Sequence, residues 1–88
     1  INHINTKLKN FYNKDNFIKI LPINSLISTN DVINTNFCHV SVCKSKHKNK
    51  LIILSAIDNL IKGGAGQAVQ NLNYYFNYNI KKGLLWNK

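Results

Sequence analysis

The sequence predicts an α+β fold, an antiparallel or mixed sheet with an amphipathic helix at its C-terminal end. Three observations carry that prediction. Phe17-Ile-Lys-Ile-Leu21 alternates apolar and polar residues, Leu51-Ile-Ile-Leu-Ser-Ala-Ile57 is a nearly continuous apolar run, and from Ala65 onward apolar residues recur at helical spacing. Eighty-eight residues suffice for one domain at most, and a chain this short buries only about 60% of its unfolded surface.

In chain order, residues 1–12 read as the last turns of a helix. The strand at 17–21 stops at Pro22, which cannot donate to a ladder, and the Asn- and Ser-rich stretch 22–34 reads as an irregular connection. Thr35-Asn-Phe-Cys-His-Val-Ser-Val-Cys43 is the next strand. It sets Cys38, Val40 and Val42 on one face and Phe37, His39, Ser41 and Cys43 on the other. Residues 51–57 should pair with it as a hairpin and, being apolar throughout, lie buried on both faces. The intervening Lys44-Ser-Lys-His-Lys-Asn-Lys50 is too charged to bury and forms the exposed tip.

The last element should run from about Asn59 to about Asn77. Its buried stripe would be Ala65, Ala68/Val69, Leu72 and Tyr75/Phe76, its polar face Gln67, Gln70, Asn71, Asn73 and Asn77, and its cap Asp58 or Asn59. Three glycines, Gly63, Gly64 and Gly66, stand at its front. Each costs a helix roughly 1 kcal/mol relative to alanine. Either something must approach the backbone closely there, or these residues form an irregular lead-in to an ordinary core helix. Free N–H donors in the first turn, with Lys62 beside them, suit an anionic or amide-bearing ligand.

Composition narrows the chemistry. All twelve basic residues are lysine, giving a formal net charge of +9. Without arginine the chain lacks the planar fork that reads guanine or clamps phosphate at two points, so a specific nucleic-acid module is not expected. Cys38 and Cys43 lie roughly 16 Å apart along an extended strand and cannot bridge each other. Cys38 and His39 point to opposite faces, so they do not converge as metal ligands would. Asp15, Asp31 and Asp58 are the only acids, which leaves no carboxylate pair for acid/base work. No apolar run is long enough to cross a bilayer and no signal peptide is evident. The chain opens on Ile1 and holds no methionine, and reads as a piece of a longer protein.

The residues carry a resemblance. Phe17-Ile-Lys-Ile-Leu-Pro22, Ser28-Thr-Asn-Asp-Val32, Thr35-Asn-Phe-Cys38 and above all Ile57-Asp-Asn-Leu-Ile-Lys-Gly-Gly-Ala-Gly-Gln-Ala-Val-Gln-Asn-Leu-Asn73 resemble, in order and spacing over about residues 11–85, the C-terminal portion of the N-acetyl-gamma-glutamyl-phosphate reductase family. This family lies within the semialdehyde dehydrogenase superfamily. Departures fall at Asn34, where the family usually has Gly, at His39, where it often has Asp, and at Gly64, where Ala is usual.

The resemblance implies a fragment of a two-domain, glyceraldehyde-phosphate dehydrogenase-like enzyme. Residues 1–57 would be the C-terminal part of the catalytic and oligomerisation domain, and 58–88 a helix and tail that pack back on an N-terminal dinucleotide-binding domain. It implies an NADP-dependent reduction of N-acetylglutamyl phosphate to the semialdehyde in arginine biosynthesis, a homo-oligomer, and a cytoplasmic location, or a plastid in a eukaryote. The cysteine nucleophile and assisting histidine of such enzymes lie upstream of the matching part, so no catalytic residue is assigned here and the 88 residues alone should be inactive. By the same resemblance Asn59 contacts the nicotinamide carboxamide, Gly63, Gly64 and Gly66 let the helix approach the cofactor and the partner domain, and Lys62 is a candidate phosphate contact. The alternatives are a noncatalytic basic binding module built on the lysine tip, or an inactive remnant.

Overall fold

A computed structural model describes residues 1–84. The chain forms α1 (Asn2–Phe11), β1 (Ile18–Ile20), a 3-10 turn at Thr29–Asp31, β2 (Cys38–Lys44), β3 (Leu51–Ile57), a π-type turn at Ile61–Ala65 and α2 (Gly66–Tyr75). The sheet has the order β1-β2-β3, with β1 parallel to β2 and β2 antiparallel to β3. It is therefore the mixed sheet of an α+β fold. The hairpin forms in the register that places Cys38 opposite Ile57 and Lys44 opposite Leu51, and Lys46 to Lys50 at its tip are exposed.

Local chemistry explains where the strands begin. The Asp15 carboxylate accepts the Phe17 and Ile18 N–H groups at 2.8 and 3.2 Å, turning the chain out of α1 and into β1. β1 is shorter than the expected 17–21, yet its neighbours continue the edge. Phe17 accepts from Cys38 N–H at 2.7 Å, and Leu21 donates to Val40 at 2.8 Å. Past Pro22, Asn24 takes a left-handed conformation (φ 64). Its N–H donates to Val42 at 2.9 Å and its side-chain oxygen accepts from Lys44 N–H at 2.8 Å. β2 starts at Cys38 rather than Thr35 because Thr35 closes a turn instead, its hydroxyl donating to the Val32 carbonyl at 2.6 Å.

The interior is small and unusually polar. Among the described residues the buried apolar side chains are Phe17, Val32, Val42, Ala56 and Leu84, matched by five buried polar ones, Asn5, Thr35, Asn36, Ser41 and Asn73. Polar groups are ordinarily excluded from a core unless hydrogen bonded. Here Ser41 donates to the Ser25 carbonyl at 2.8 Å, and the Asn73 amide donates to the carbonyls of Ile80 and Lys82 at 3.2 and 2.9 Å.

Two expectations about burial are corrected. β3 is not enclosed on both faces: Leu51, Ile52, Ile53 and Leu54 are 38–57% exposed, and only Ala56 is buried. No strand lies beyond β3 among the described residues, and those residues leave these four side chains uncovered. α2 is turned the opposite way from its pattern. Gly66 and Asn73 are buried and Gln70 half-buried, whereas Val69, Leu72, Tyr75 and Phe76 are exposed. Its apolar stripe exists at the expected spacing and faces away from this chain's core. The chain leaves the helix, which ends at Tyr75, through Asn77 (φ 56), with Asn77 N–H donating to Tyr74 at 3.3 Å and Tyr78 N–H to Asn73 at 2.8 Å. A left-handed residue just past the helix is a common way to satisfy its last carbonyls. The expected return segment continues to Leu84; its final residues 85–88 lie outside the described residues.

Candidate functional site

Asp58 organises the segment that follows β3. One carboxylate oxygen accepts the N–H groups of Leu60 at 2.9 Å and Ile61 at 3.3 Å, and the other accepts Asn34 N–H at 2.7 Å. The expected cap is therefore present, and it also binds a loop 24 residues upstream. The Asn34 backbone N–H first, then those of Leu60 and Ile61, hold the Asp58 carboxyl below its ordinary pKa, against the smaller upward pull of desolvation. Asn34 reaches this position in the left-handed region, φ 60, where glycine and asparagine are the least penalised residues. Asn is thus an apt residue for this corner.

Beyond the cap the chain does not wind as one α-helix from Asn59, which corrects that expectation. Gly63 N–H donates to Asp58 at 3.2 Å, Ala65 N–H to Leu60 at 3.0 Å, and Gly66 N–H to Ile61, each skipping five residues. This is a π-type turn, a rare widening that is enriched at functional sites. Gly64 leaves helical angles altogether (φ −145, ψ −113), so turn and helix meet at a kink.

The two readings of the glycines divide by position. A Cβ on Gly66 would stand 2.5 Å from the Asn36 side-chain oxygen, 2.6 Å from the Ile61 carbonyl and 2.7 Å from Ile61 Cγ2. A Cβ on Gly63 would stand 2.8 Å from Asn59 Oδ1 and 3.3 Å from Ile57 Cδ1. Both have their close neighbour within the chain. Gly63 and Gly64 are both exposed, but a Cβ on Gly64 would meet only the Asn59 carbonyl, at 3.4 Å.

Asn59 is exposed at the rim of a cleft of about 420 Å³ lined by Thr29, Ile33, Asn34, Ile57, Asp58 and Leu60. Its amide, which can both donate and accept, lies folded toward Gly63. Lys62 is placed differently. Its ammonium donates to Gln70 Oε1 at 2.8 Å and lies 5.5 Å from the Phe17 ring centre, and burial pushes its pKa down. The same Gln70 oxygen accepts from Asn36 Nδ2 at 2.8 Å. Of the four expected site residues, the fold thus groups Asn59, Gly63 and Gly64 on the outer side of the turn and directs Lys62 inward. The phosphate contact expected of Lys62 competes with this internal partner. Gln70 escaped the sequence reading because an amide in a helical polar stripe gives no sign of pointing inward, and Asn36 because its partner lies 34 residues away.

The other candidate groups do not assemble. Burial pushes the Cys38 thiol pKa up, with Lys62 opposing and Asp15 adding to it. Burial, and secondarily Lys19, push the His39 pKa down against Asp31. Cys38 and Cys43 are both free thiols. Among the described residues no three His, Cys, Asp or Glu side chains gather as a metal site would require, and no helix is long and apolar enough to cross a membrane.

Comparison with known proteins adds two findings. The family model described as semialdehyde dehydrogenase, dimerisation domain, matches residues 1–59. Proteins named N-acetyl-gamma-glutamyl-phosphate reductase align over most of the chain. That of Clostridium kluyveri is 42% identical over 84 residues, 96% of this chain and 24% of the relative. That of Thermoanaerobacter sp. strain X514 is 47% identical over 74 residues, 84% of this chain and 22% of the relative. That of Pelobacter propionicus is 46% identical over 70 residues, 80% of this chain and 20% of the relative. The chain spans about a quarter of the length of these curated relatives.

Proposed function

The chain belongs to the semialdehyde dehydrogenase family, its residues 1–59 matching the dimerisation domain of the members, and from that membership we propose that it is the C-terminal segment of an N-acetyl-gamma-glutamyl-phosphate reductase. In this reading the whole enzyme has two domains of the glyceraldehyde-phosphate dehydrogenase kind. It reduces N-acetylglutamyl phosphate to the semialdehyde with NADPH, as a step of arginine biosynthesis in the cytoplasm. Residues 1–57 complete the catalytic and oligomerisation domain. Residues 58–88 return to the dinucleotide-binding domain, against which the outward stripe of Val69, Leu72 and Phe76 packs. The exposed apolar surface of β3 is the contact with a second copy. The nucleophile and assisting histidine lie in the remainder of the enzyme, so the 88 residues alone do not turn over.

The observation that carries this reading is the Asp58-capped turn, which holds an exposed primary amide, Asn59, at the rim of a cleft beside an open glycine, Gly64. A nicotinamide carboxamide needs one donor and one acceptor to fix its orientation, and an asparagine side chain supplies both. When bound, the coenzyme supplies hydride. The chain's own part is to hold the ring so that one face meets the substrate, a positioning effect that can decide the rate by orders of magnitude. Gly63 leaves the room into which the Asn59 amide folds.

The test is Asn59→Ala in a complete reductase carrying this segment. The turnover number should fall by about tenfold or more, while the melting temperature stays within a few degrees because Asn59 is exposed. Unchanged steady-state kinetics would remove Asn59 from the site.

A further inference from the structure

We infer that Gln70 is a positioning residue, whose single side-chain oxygen braces the kinked turn and thereby fixes where the Asn59 amide stands. The inference rests on the coenzyme reading of Asn59 and adds to it a residue that touches no ligand. Three observations meet at this oxygen. It accepts from the Lys62 ammonium at 2.8 Å and from Asn36 Nδ2 at 2.8 Å. The kink at Gly64 lies between Lys62 and Gln70 in the chain. Asn36, the second donor, is wholly buried in the loop that leads into β2, and its other side-chain atom, Oδ1, has no hydrogen-bond partner and is the neighbour that a Cβ on Gly66 would strike.

At the non-helical Gly64 the regular α ladder gives way to two wide backbone bonds, from Ala65 N–H to Leu60 and from Gly66 N–H to Ile61. Side-chain contacts then add to these few bonds in setting the angle across the kink. The Lys62–Gln70 bond crosses the kink on its inward side, and being charge-assisted it is the stronger of the two contacts. The Asn36–Gln70 bond then ties the same point of α2 to the root of the sheet. Asp58 holds the far end of the turn to Asn34, in the same loop as Asn36. The Asn59 turn is thus held to the 34–36 loop at both ends, once by a carboxylate and once by the Gln70 oxygen.

Only the acceptor oxygen of Gln70 takes part in these two bonds, so the chemistry required at position 70 is an acceptor at that reach. Gln70→Glu preserves it and offers Lys62 an opposite charge. Gln70→Leu keeps the approximate size and removes it, leaving a half-buried ammonium and a buried amide donor without their partner.

The experiment compares Gln70→Leu, Gln70→Glu and Asn59→Ala in a complete reductase carrying this segment, reading steady-state kinetics and amide hydrogen exchange over residues 59–66. Expected for Gln70→Leu are a turnover number lowered about tenfold, a coenzyme KM within about twofold of the parent, and faster exchange over 59–66; Gln70→Glu should restore all three toward the parent. Leu and Glu variants alike in exchange, or a Leu variant with parental exchange, would overturn the brace, and a Leu variant with parental turnover where Asn59→Ala lowers it would overturn the positioning role of Gln70. The exchange readout judges the brace whether or not Asn59 meets the coenzyme. The turnover of Asn59→Ala judges the coenzyme reading whether or not the brace exists.

Discussion

The β2–β3 hairpin and the turn that follows it are built on opposite terms. The hairpin is the most regular part of the chain, with seven paired residues on each strand, yet its outer strand presents four large apolar side chains to solvent. The turn is the least regular, a π-type coil broken at Gly64. Even so, its contacts are nearly all internal: a three-donor carboxylate, an amide shared between two donors, and two glycines packed against neighbours. Regularity and completeness are separate properties. An apolar strand can satisfy every backbone hydrogen bond on one edge and still lack its hydrophobic partner, whereas an irregular turn can be finished by polar side chains alone. α2 shows both on one rod, amides inward and apolar residues outward.

If the outer face of β3 is a contact with a second copy, then Ile53, 57% exposed in the single chain, is where that contact is most cheaply broken. Ile53→Lys in the complete protein should weaken self-association by a hundredfold or more, about 3 kcal/mol, as read by sedimentation across a concentration series. A protein that remains equally associated would assign β3 to some other surface.

The turn should respond to substitution by losing stability instead. Gly66→Ala places a methyl group against Asn36 and Ile61, and should lower stability by about 1–3 kcal/mol in thermal unfolding, despite the gain of about 1 kcal/mol that alanine brings to a helix interior. A melting temperature equal to or above the parent's would show that α2 is not pressed against the 36 loop.

The smallest effect concerns pH. The Asp58 carboxyl is held below its ordinary value of 3.8, so the native state binds its proton less readily than the unfolded chain does. Its contribution to stability is complete above that value and is lost as pH falls through the lower, folded one. Asp58→Asn should therefore flatten part of the acid-side decline in melting temperature below about pH 4. Parallel curves for the two proteins would mean that the cap contributes no linkage.

Much of this architecture was legible in the residues. The strand pattern at 35–43, the charged tip and the apolar run fixed the hairpin, because period and turn composition act locally. The Asp58 cap was legible because an aspartate before a helical pattern has one common use. What escaped depends on neighbours distant in sequence. The direction in which α2 faces is set by what lies against it, and here Asn36, Gln70 and Asn73 hydrogen-bond inward while the apolar stripe has no counterpart among the described residues. The burial expected of 51–57 fails for the same reason: an apolar run records what a strand is meant to meet, not whether the partner is present. Among the candidate site residues, Asn59, Gly63 and Gly64 share one side of the turn, while the inward course of Lys62 rests on Gln70, eight residues away and across the kink.

Three asparagines, Asn24, Asn34 and Asn77, turn the chain through left-handed corners, with φ between 56 and 64. Each corner is a narrow gate for mutational drift. Glycine passes freely, aspartate at some expense, and a β-branched residue such as isoleucine hardly at all. Around these gates the surface can exchange lysine, serine and asparagine at little cost, but at the gates themselves the mirror-image backbone, not solvent or charge, decides what can be inherited.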